Sequence, residues 1–373
     1  VKNMTMLSAA MVALSLIACS STLPISLAQS SPSSQSNRND PNLARSSSHS
    51  QATLTRTANG WQSSTPLSNM FEFQLIDVRQ DIPKAVHLGQ EHGGLLDYNV
   101  VFIGENHRHP GNHLAQTLIY QKMLSQGDRV ILSMEQFERD TQATLDAYLA
   151  GNIGEWALRH YGRAWDNYRT SYRPMVEMAK KRGLPVIAAN APKDTVVCTG
   201  RHGLDVLKKL PNNRKNQVAA SFYTPNHGAY FEKFTGAMSH GSSENISQRT
   251  LNSYHAQIVR DDTMAESIHL AMQANSSHKV VHLNGHFHSA SGLGTVERLK
   301  RLRNDKLAVI QPVLVNNPEQ PTFSEQDMET GDYLLLIYPL SKEVITDENR
   351  QVWRKEVFKR SHPDCSFGSP SPS

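Results

Sequence analysis

Six short runs dominated by Val, Ile and Leu recur along this chain: Asn99 to Gly104, Arg129 to Met134, Pro185 to Ala189, Lys279 to Asn284, Leu307 to Val315 and Tyr333 to Tyr338. They are apolar on both faces, so strands built from them need cover on both sides. The intervening segments can supply it. Asn112 to Gln126, Ser171 to Arg182, Asp194 to Leu210 and Leu251 to Gln273 repeat apolar residues at three- and four-residue spacing, as helices with one buried stripe do. Gly127 and Gly183 follow two of these closely, where helices stop. Strands alternating with helices predict an α/β fold with a mostly parallel central sheet flanked by helices. Pro211 to Gln248 is polar, with Gly, Asn and Ser, and reads as a polar insertion or lid.

The two ends have a different character. Residues 1–28 read as an export signal: Lys2 gives a short positive start, and Met6 to Ala18 is an apolar run too short for a stable membrane span. It ends in Leu16-Ile17-Ala18-Cys19, which resembles a bacterial lipobox, with Cys19 as the thiol that takes the lipid. Ser20 would permit sorting to the outer membrane, whereas Ser26-Leu27-Ala28 offers a competing cleavage site for ordinary secretion. The expectation is an outer-membrane lipoprotein facing the periplasm and held to the membrane by its lipid; the alternative is a soluble periplasmic or secreted protein. Residues 29–68, rich in Ser, Asn, Gln and Pro, are predicted to be a disordered tether, 69–361 the folded domain and 362–373 a disordered tail. With Cys19 lipidated, Cys198 and Cys365 remain as either a disulfide, which an oxidising envelope permits, or two free thiols.

Charge adds exclusions. The formal net charge is +4, and the densest positive runs, Lys180 to Arg182 and Arg298 to Arg303, fall in helical patterns. Neither interleaves with stacking aromatics, so no nucleic-acid partner is indicated. The chain also lacks a G-x-S-x-G elbow, a P-loop and a G-x-G-x-x-G fingerprint.

In open parallel sheets, ligands bind beyond the carboxyl ends of the strands. Here four ends carry polar side chains: Gly104-Glu105-Asn106-His107, Glu135-Gln136, Asn190-Ala191-Pro192 and Gly285-His286-Phe287-His288. Glu105 and Glu135 can accept protons or hold a cation; His107, His286 and His288 can ligate a metal or donate hydrogen bonds. Such a set suits a divalent transition metal such as Zn, Mn, Co or Fe. Tyr161, Trp165, Tyr168 and Tyr172 form an aromatic cluster that serves either as helix packing or as the wall of a planar ligand.

These segments, in order, resemble the ChaN-like family of haem-binding envelope lipoproteins. The blocks are Val101 to His107, Ser133 to Asp140, the Trp165–Tyr168–Tyr172–Pro174 stretch, Val186 to Pro192, Ala256 to Ala265 and Gly285-His286, spanning about Asn99 to Leu299. The resemblance implies a Tiki-superfamily fold, a role in iron or haem uptake or storage, and haem held between two protomers. It further implies a tyrosine axial ligand, for which Tyr168 and Tyr172 are best placed and Tyr148 and Tyr254 are reserves, and a histidine near the propionates. His107, His286 and Asn190 complete the expected haem set. The same superfamily contains metal-dependent peptidases marked by Gly-x-x-His, a spacing met at Gly104 to His107 and Gly285 to His288. That alternative, a metallohydrolase, would bind its metal through Glu105, His107, Glu135, His286 and His288, with Glu105 or Glu135 activating water. His288 and the 211–248 segment depart from the family pattern.

Overall fold

The computed structural model describes residues 52–88, 94–127, 129–239, 246–358 and 363–367. The export segment, Cys19, the tether up to residue 51 and residues 368–373 lie outside the described residues. The strands are β1 (Leu54–Thr57), β2 (Gly60–Ser63), β3 (Phe73–Asp77), β4 (Lys84–Val86), β5 (Val100–Glu105), β6 (Val130–Glu138), β7 (Val186–Asn190), β8 (Lys279–Gly285), β9 (Leu307–Leu314), β10 (Thr322–Phe323) and β11 (Tyr333–Ile337).

Eight strands form one sheet in the order β4-β3-β11-β9-β5-β8-β6-β7. The six from β11 to β7 are parallel, and they are the six apolar runs of the sequence; β3 and β4 add an antiparallel edge. Alternate residues of the central strands enter two separate apolar clusters. Val101, Ile103, Leu132 and Leu283 face the helix Pro110–Gln126 through Ile119, Tyr120 and Met123. Val100, Phe102, Ile131 and Val280 face the helices Gln248–Ala274 and Thr295–Leu302 through Ile268, Val296 and Leu299. Each such aliphatic side chain contributes about 1.5–3 kcal/mol when fully buried. Double cover is therefore what makes these strands continuous in apolar residues.

The domain begins earlier than its composition indicates. Residues 52–68, assigned above to the tether, carry β1 and β2, which join β10 in a three-stranded antiparallel sheet. Trp61 and Leu67 pack with Ile76, Phe323 and Leu334. A sheet covered on one side needs few apolar residues, and the partner strand lies some 260 residues away in sequence. The 211–248 segment is also more than a polar lid: it contains the helix Ala229–Ser239, whose Tyr230, Phe231 and Phe234 are buried. The helix foreseen over 194–210 breaks at Gly203, where φ is +75°, a backbone state that favours glycine. Part of the expected disordered tail is pinned. Cys365 forms a disulfide with Cys198, and Phe367 packs on the cluster of Val196 and Leu210.

Candidate functional site

The carboxyl ends of β5, β8 and β6 lie side by side, because β8 pairs with β5 on one edge and β6 on the other. This register brings Glu105, Glu135 and Gly285 together although they are up to 180 residues apart in sequence. Gly285 is required where it stands. A Cβ there would come within 2.9 Å of the His107 ring, so the imidazole lies directly on the glycine backbone. The Gly285 N–H donates to Glu135 Oε2 at 2.6 Å.

Glu105 is fully buried and accepts several hydrogen bonds. His107 Nδ1 and Tyr172 Oη donate to Oε1 at 2.9 and 2.6 Å, and Gln116 Nε2 donates to Oε2 at 2.7 Å. Burial by itself would raise this carboxyl, but the His107 hydrogen bond and the surrounding imidazoles outweigh it and hold it below the usual carboxylate value. His107 stays half exposed, at 49%, with the edge of Trp165 against its ring. Burial would lower its pKa; the hydrogen bond to Glu105 and the charge of Glu135 raise it instead.

A second imidazole–carboxylate group, centred on His288, is buried. His288 Nδ1 is 2.7 Å from Asp261 Oδ1, and its Nε2 is 3.5 Å from Glu135 Oε1. Tyr230 and Thr295 also donate to Asp261. Burial disfavours a charged His288, yet the two carboxylates dominate and push its pKa up to about 10. Glu135 and Asp261 are correspondingly held below the carboxylate range, chiefly by the His288 charge working against burial. Asn190 lies at the same edge, donating to the Glu135 carbonyl at 3.0 Å.

His286 differs from both. Its side chain is exposed at the edge, with Nδ1 3.3 Å from the Glu105 carbonyl, which can only accept. Burial of the ring lowers its pKa and outweighs that hydrogen bond. A neutral imidazole bonded in this way carries its proton on Nδ1 and its lone pair on Nε2.

A cavity of about 430 Å³ opens here, and its lining includes His107, His286, His288, Phe234, Met238 and Phe287. That volume lies within the ordinary range of small-molecule sites, about 300–1,000 Å³. The sequence pointed to the three histidines but not to Phe234 and Met238, which come from the segment read as polar. The signal available was the aromatic spacing Tyr230-Phe231-x-x-Phe234. It also passed over Asp261 as a site residue, although a carboxylate on the apolar stripe of a helix is a sign of a buried partner.

The candidate tyrosines lie inside the core. Tyr168 and Tyr172 are fully buried, in a π-helical turn from Tyr168 to Tyr172 packed on the sheet. Burial, and for Tyr172 also the Glu105 charge, drives both hydroxyls well above the usual phenol value. Tyr148 and Tyr254 are buried too. The five proposed metal ligands do gather at one edge, but among the described residues no group of three His, Cys, Asp or Glu is arranged to hold a metal ion. Glu105 and His288 are already saturated by neighbouring side chains.

Fold and site together define an α/β protein with a histidine- and carboxylate-lined cavity at the carboxyl edge of a mostly parallel sheet. Residues 93–299, more than half of the chain, match the family described as haem-binding uptake, Tiki superfamily, ChaN. The chain belongs to this family. Among solved structures, it is similar to ChaN of Campylobacter jejuni with cofacially bound haem, at 16% identity and a TM-score of 0.52, covering 74% of this chain and all of that one. It also matches a mutant of the erythromycin esterase EreC in its open conformation, at 10% identity and a TM-score of 0.41, again over 74% of this chain and all of that one. No protein of curated function matches.

Proposed function

We infer that this chain binds haem at the strand-end cavity, with His286 supplying an axial nitrogen to the iron. The observation that carries the reading is the setting of His286: exposed, with Nδ1 3.3 Å from a backbone carbonyl, and lining a cavity together with Phe234, Met238 and Phe287. An imidazole oriented through its second nitrogen is a common arrangement for iron ligation. His107, half exposed and oriented by Glu105, is the second nitrogen donor at the same mouth. Bound haem would bring an iron able to take one or two axial ligands; the protein's part is to bury the ring and fix those donors. Membership of a haem-binding family supports the ligand, while the burial of Tyr168 and Tyr172 favours imidazole over phenolate as donor.

The placement proposed is the cell envelope, in iron or haem uptake or storage, with Cys19 as lipid anchor and with a second protomer closing the open side of the haem. Its support is the lipobox-like Leu16 to Cys19, the exposure of the cavity mouth and the family. Titration of the purified protein with haemin tests the central claim. A saturable Soret band of histidine-ligated character is expected, moved or abolished in His286→Ala. A linear, non-saturating response would end the haem reading; a saturable band unchanged in both His286→Ala and His107→Ala would end the ligand assignment.

A further inference from the structure

The helix Ala229–Ser239 contributes more than a wall. Its Phe234, Ala237 and Met238 line the cavity, and its Tyr230, Phe231 and Phe234 are buried. Lys233 lies three residues after Tyr230 and directly before Phe234, on the side where a helix covering a core ordinarily carries apolar residues. Its Nζ donates to the carbonyl oxygens of Phe287 and Ala290, at 3.1 and 3.2 Å, and lies 4.5 Å from the centre of the Phe287 ring. That ring also packs on Tyr230 and Phe234 of the same helix. Both carbonyls belong to the turn that leaves β8: His286 comes just before Phe287, and His288 falls between the two acceptors. The two histidines are held unequally. His288 is fixed by Asp261 and Glu135, whereas the His286 ring has the longer 3.3 Å bond to the Glu105 carbonyl. A half-buried ammonium is unfavourable here. Burial pulls its pKa down to about 8, against the opposing charges of Asp261 and Glu297. A methionine would fill similar space with no charge to desolvate. What the cation adds is its grip on two carbonyls of one turn.

We propose that Lys233 is a positioning residue of the ligand site, tying the turn that presents His286 to the helix that carries the apolar wall. The proposal rests on the haem reading and deepens it, by adding a residue that works through His286. With the tie in place, the imidazole and the Phe234–Met238 wall form one unit. A metal–nitrogen bond is short and directional, and a donor displaced by about 1 Å forfeits much of it. Apolar burial is non-directional and tolerates the same displacement. Loss of the Lys233 grip should therefore fall on iron ligation and spare the binding of the ring itself.

The test titrates the full-length chain with haemin, followed by its Soret band, and with metal-free protoporphyrin IX, followed by its fluorescence. The two ligands share ring and acid groups and differ in the iron. Lys233→Met should weaken haemin binding about tenfold and shift the Soret band, with protoporphyrin affinity kept within about twofold. Lys233→Arg, still able to donate to both carbonyls, should restore most of the haemin affinity and the wild-type band. Lys233→Gln, which keeps a neutral donor, should fall between them and carries the same comparison if the Met variant does not fold. Adding His286→Ala to Lys233→Met should lose little more than His286→Ala alone, because the lysine acts through that imidazole. Equal loss of both ligands, unchanged haemin binding in Lys233→Met, or additive losses in the double variant each overturn the positioning role. Failure of wild type to bind haemin saturably is a different result: it overturns the haem reading, and this proposal with it.

Discussion

Two histidines in this protein each bond a buried carboxylate through Nδ1, and their circumstances differ sharply. His107 bonds Glu105 and stays half exposed at a cavity mouth; His288 bonds Asp261, has Glu135 on its other side, and is buried. The chemistry of the pair is the same. What separates them is whether the second nitrogen meets a cavity or another carboxylate. A carboxylate–imidazole pair read from sequence is therefore ambiguous, and the resolution comes from what packs against the outer ring edge. Here that is Trp165 for His107, and Glu135 at the end of β6 for His288.

The largest test of this contrast is stability. His288→Ala leaves Asp261 and Glu135 buried without their shared cation, which typically costs about 3–5 kcal/mol. His107→Ala leaves Glu105 with its Tyr172 and Gln116 hydrogen bonds and should cost no more than about 1 kcal/mol. Urea denaturation measures both; equal losses would erase the distinction between sealed and open pairs.

Ligand binding should show the reverse order. Substitution of His286 or His107 by Ala should weaken haemin binding by at least about tenfold, equivalent to some 1.4 kcal/mol. His288→Gln, assayed under conditions where it remains folded, should change affinity less than threefold, roughly 0.6 kcal/mol. A Soret titration of the three variants decides this.

The pH dependence follows from signs. The His288 pKa is raised in the folded protein, from 6.5 to about 10, so its contribution is complete below pH 6.5 and is lost as pH climbs to 10. Glu135 and Asp261 are shifted down, so theirs is present above the ordinary carboxylate values of 4.5 and 3.8 and is lost as pH falls through their folded-state values. The gap in urea midpoint between wild type and His288→Gln should therefore narrow steadily from pH 6.5 to 10. A gap constant over that range would mean that His288 carries no charge in the native state.

The smallest effect expected is at Gly285. In Gly285→Ala the new methyl would meet the His107 ring at 2.9 Å, and the ring is the group able to yield. Stability should fall by about 1 kcal/mol, within the range for mild overpacking, while haemin affinity falls with the displaced His107. Unchanged affinity would show that the position of His107 is irrelevant to the ligand.

The parallel core was legible because double burial leaves a continuous apolar signature in β5 to β9 and β11. It was not legible in β1, β2 and β10, where Leu54-Thr-Arg-Thr and Gly60-Trp-Gln-Ser look like linker until a strand from residue 322 supplies the other half. The site followed the same division. Glu105, His107, Glu135, Asn190, His286 and His288 stand at strand ends, and strand ends can be read along the chain. Phe234 and Met238 reach the cavity, and Asp261 reaches His288, from helices, and no linear pattern states which strand end a helix will cover. Tyr172 sits in a matching stretch and touches the site, yet it does so as a hydrogen-bond donor to Glu105 from inside the core.

The bond between Cys198 and Cys365 also changes the topology of the molecule. It closes a covalent ring over a sequence separation of 167 residues. Phe234, Asp261, His286 and His288 belong to that ring, whereas Glu105, His107 and Glu135 precede it. The cavity therefore lies along a seam between a closed loop and an open strand of polypeptide. A protease cutting once at an exposed ring position such as Lys215 would leave both halves of the seam tethered, and only a thiol reductant would let the fragments part.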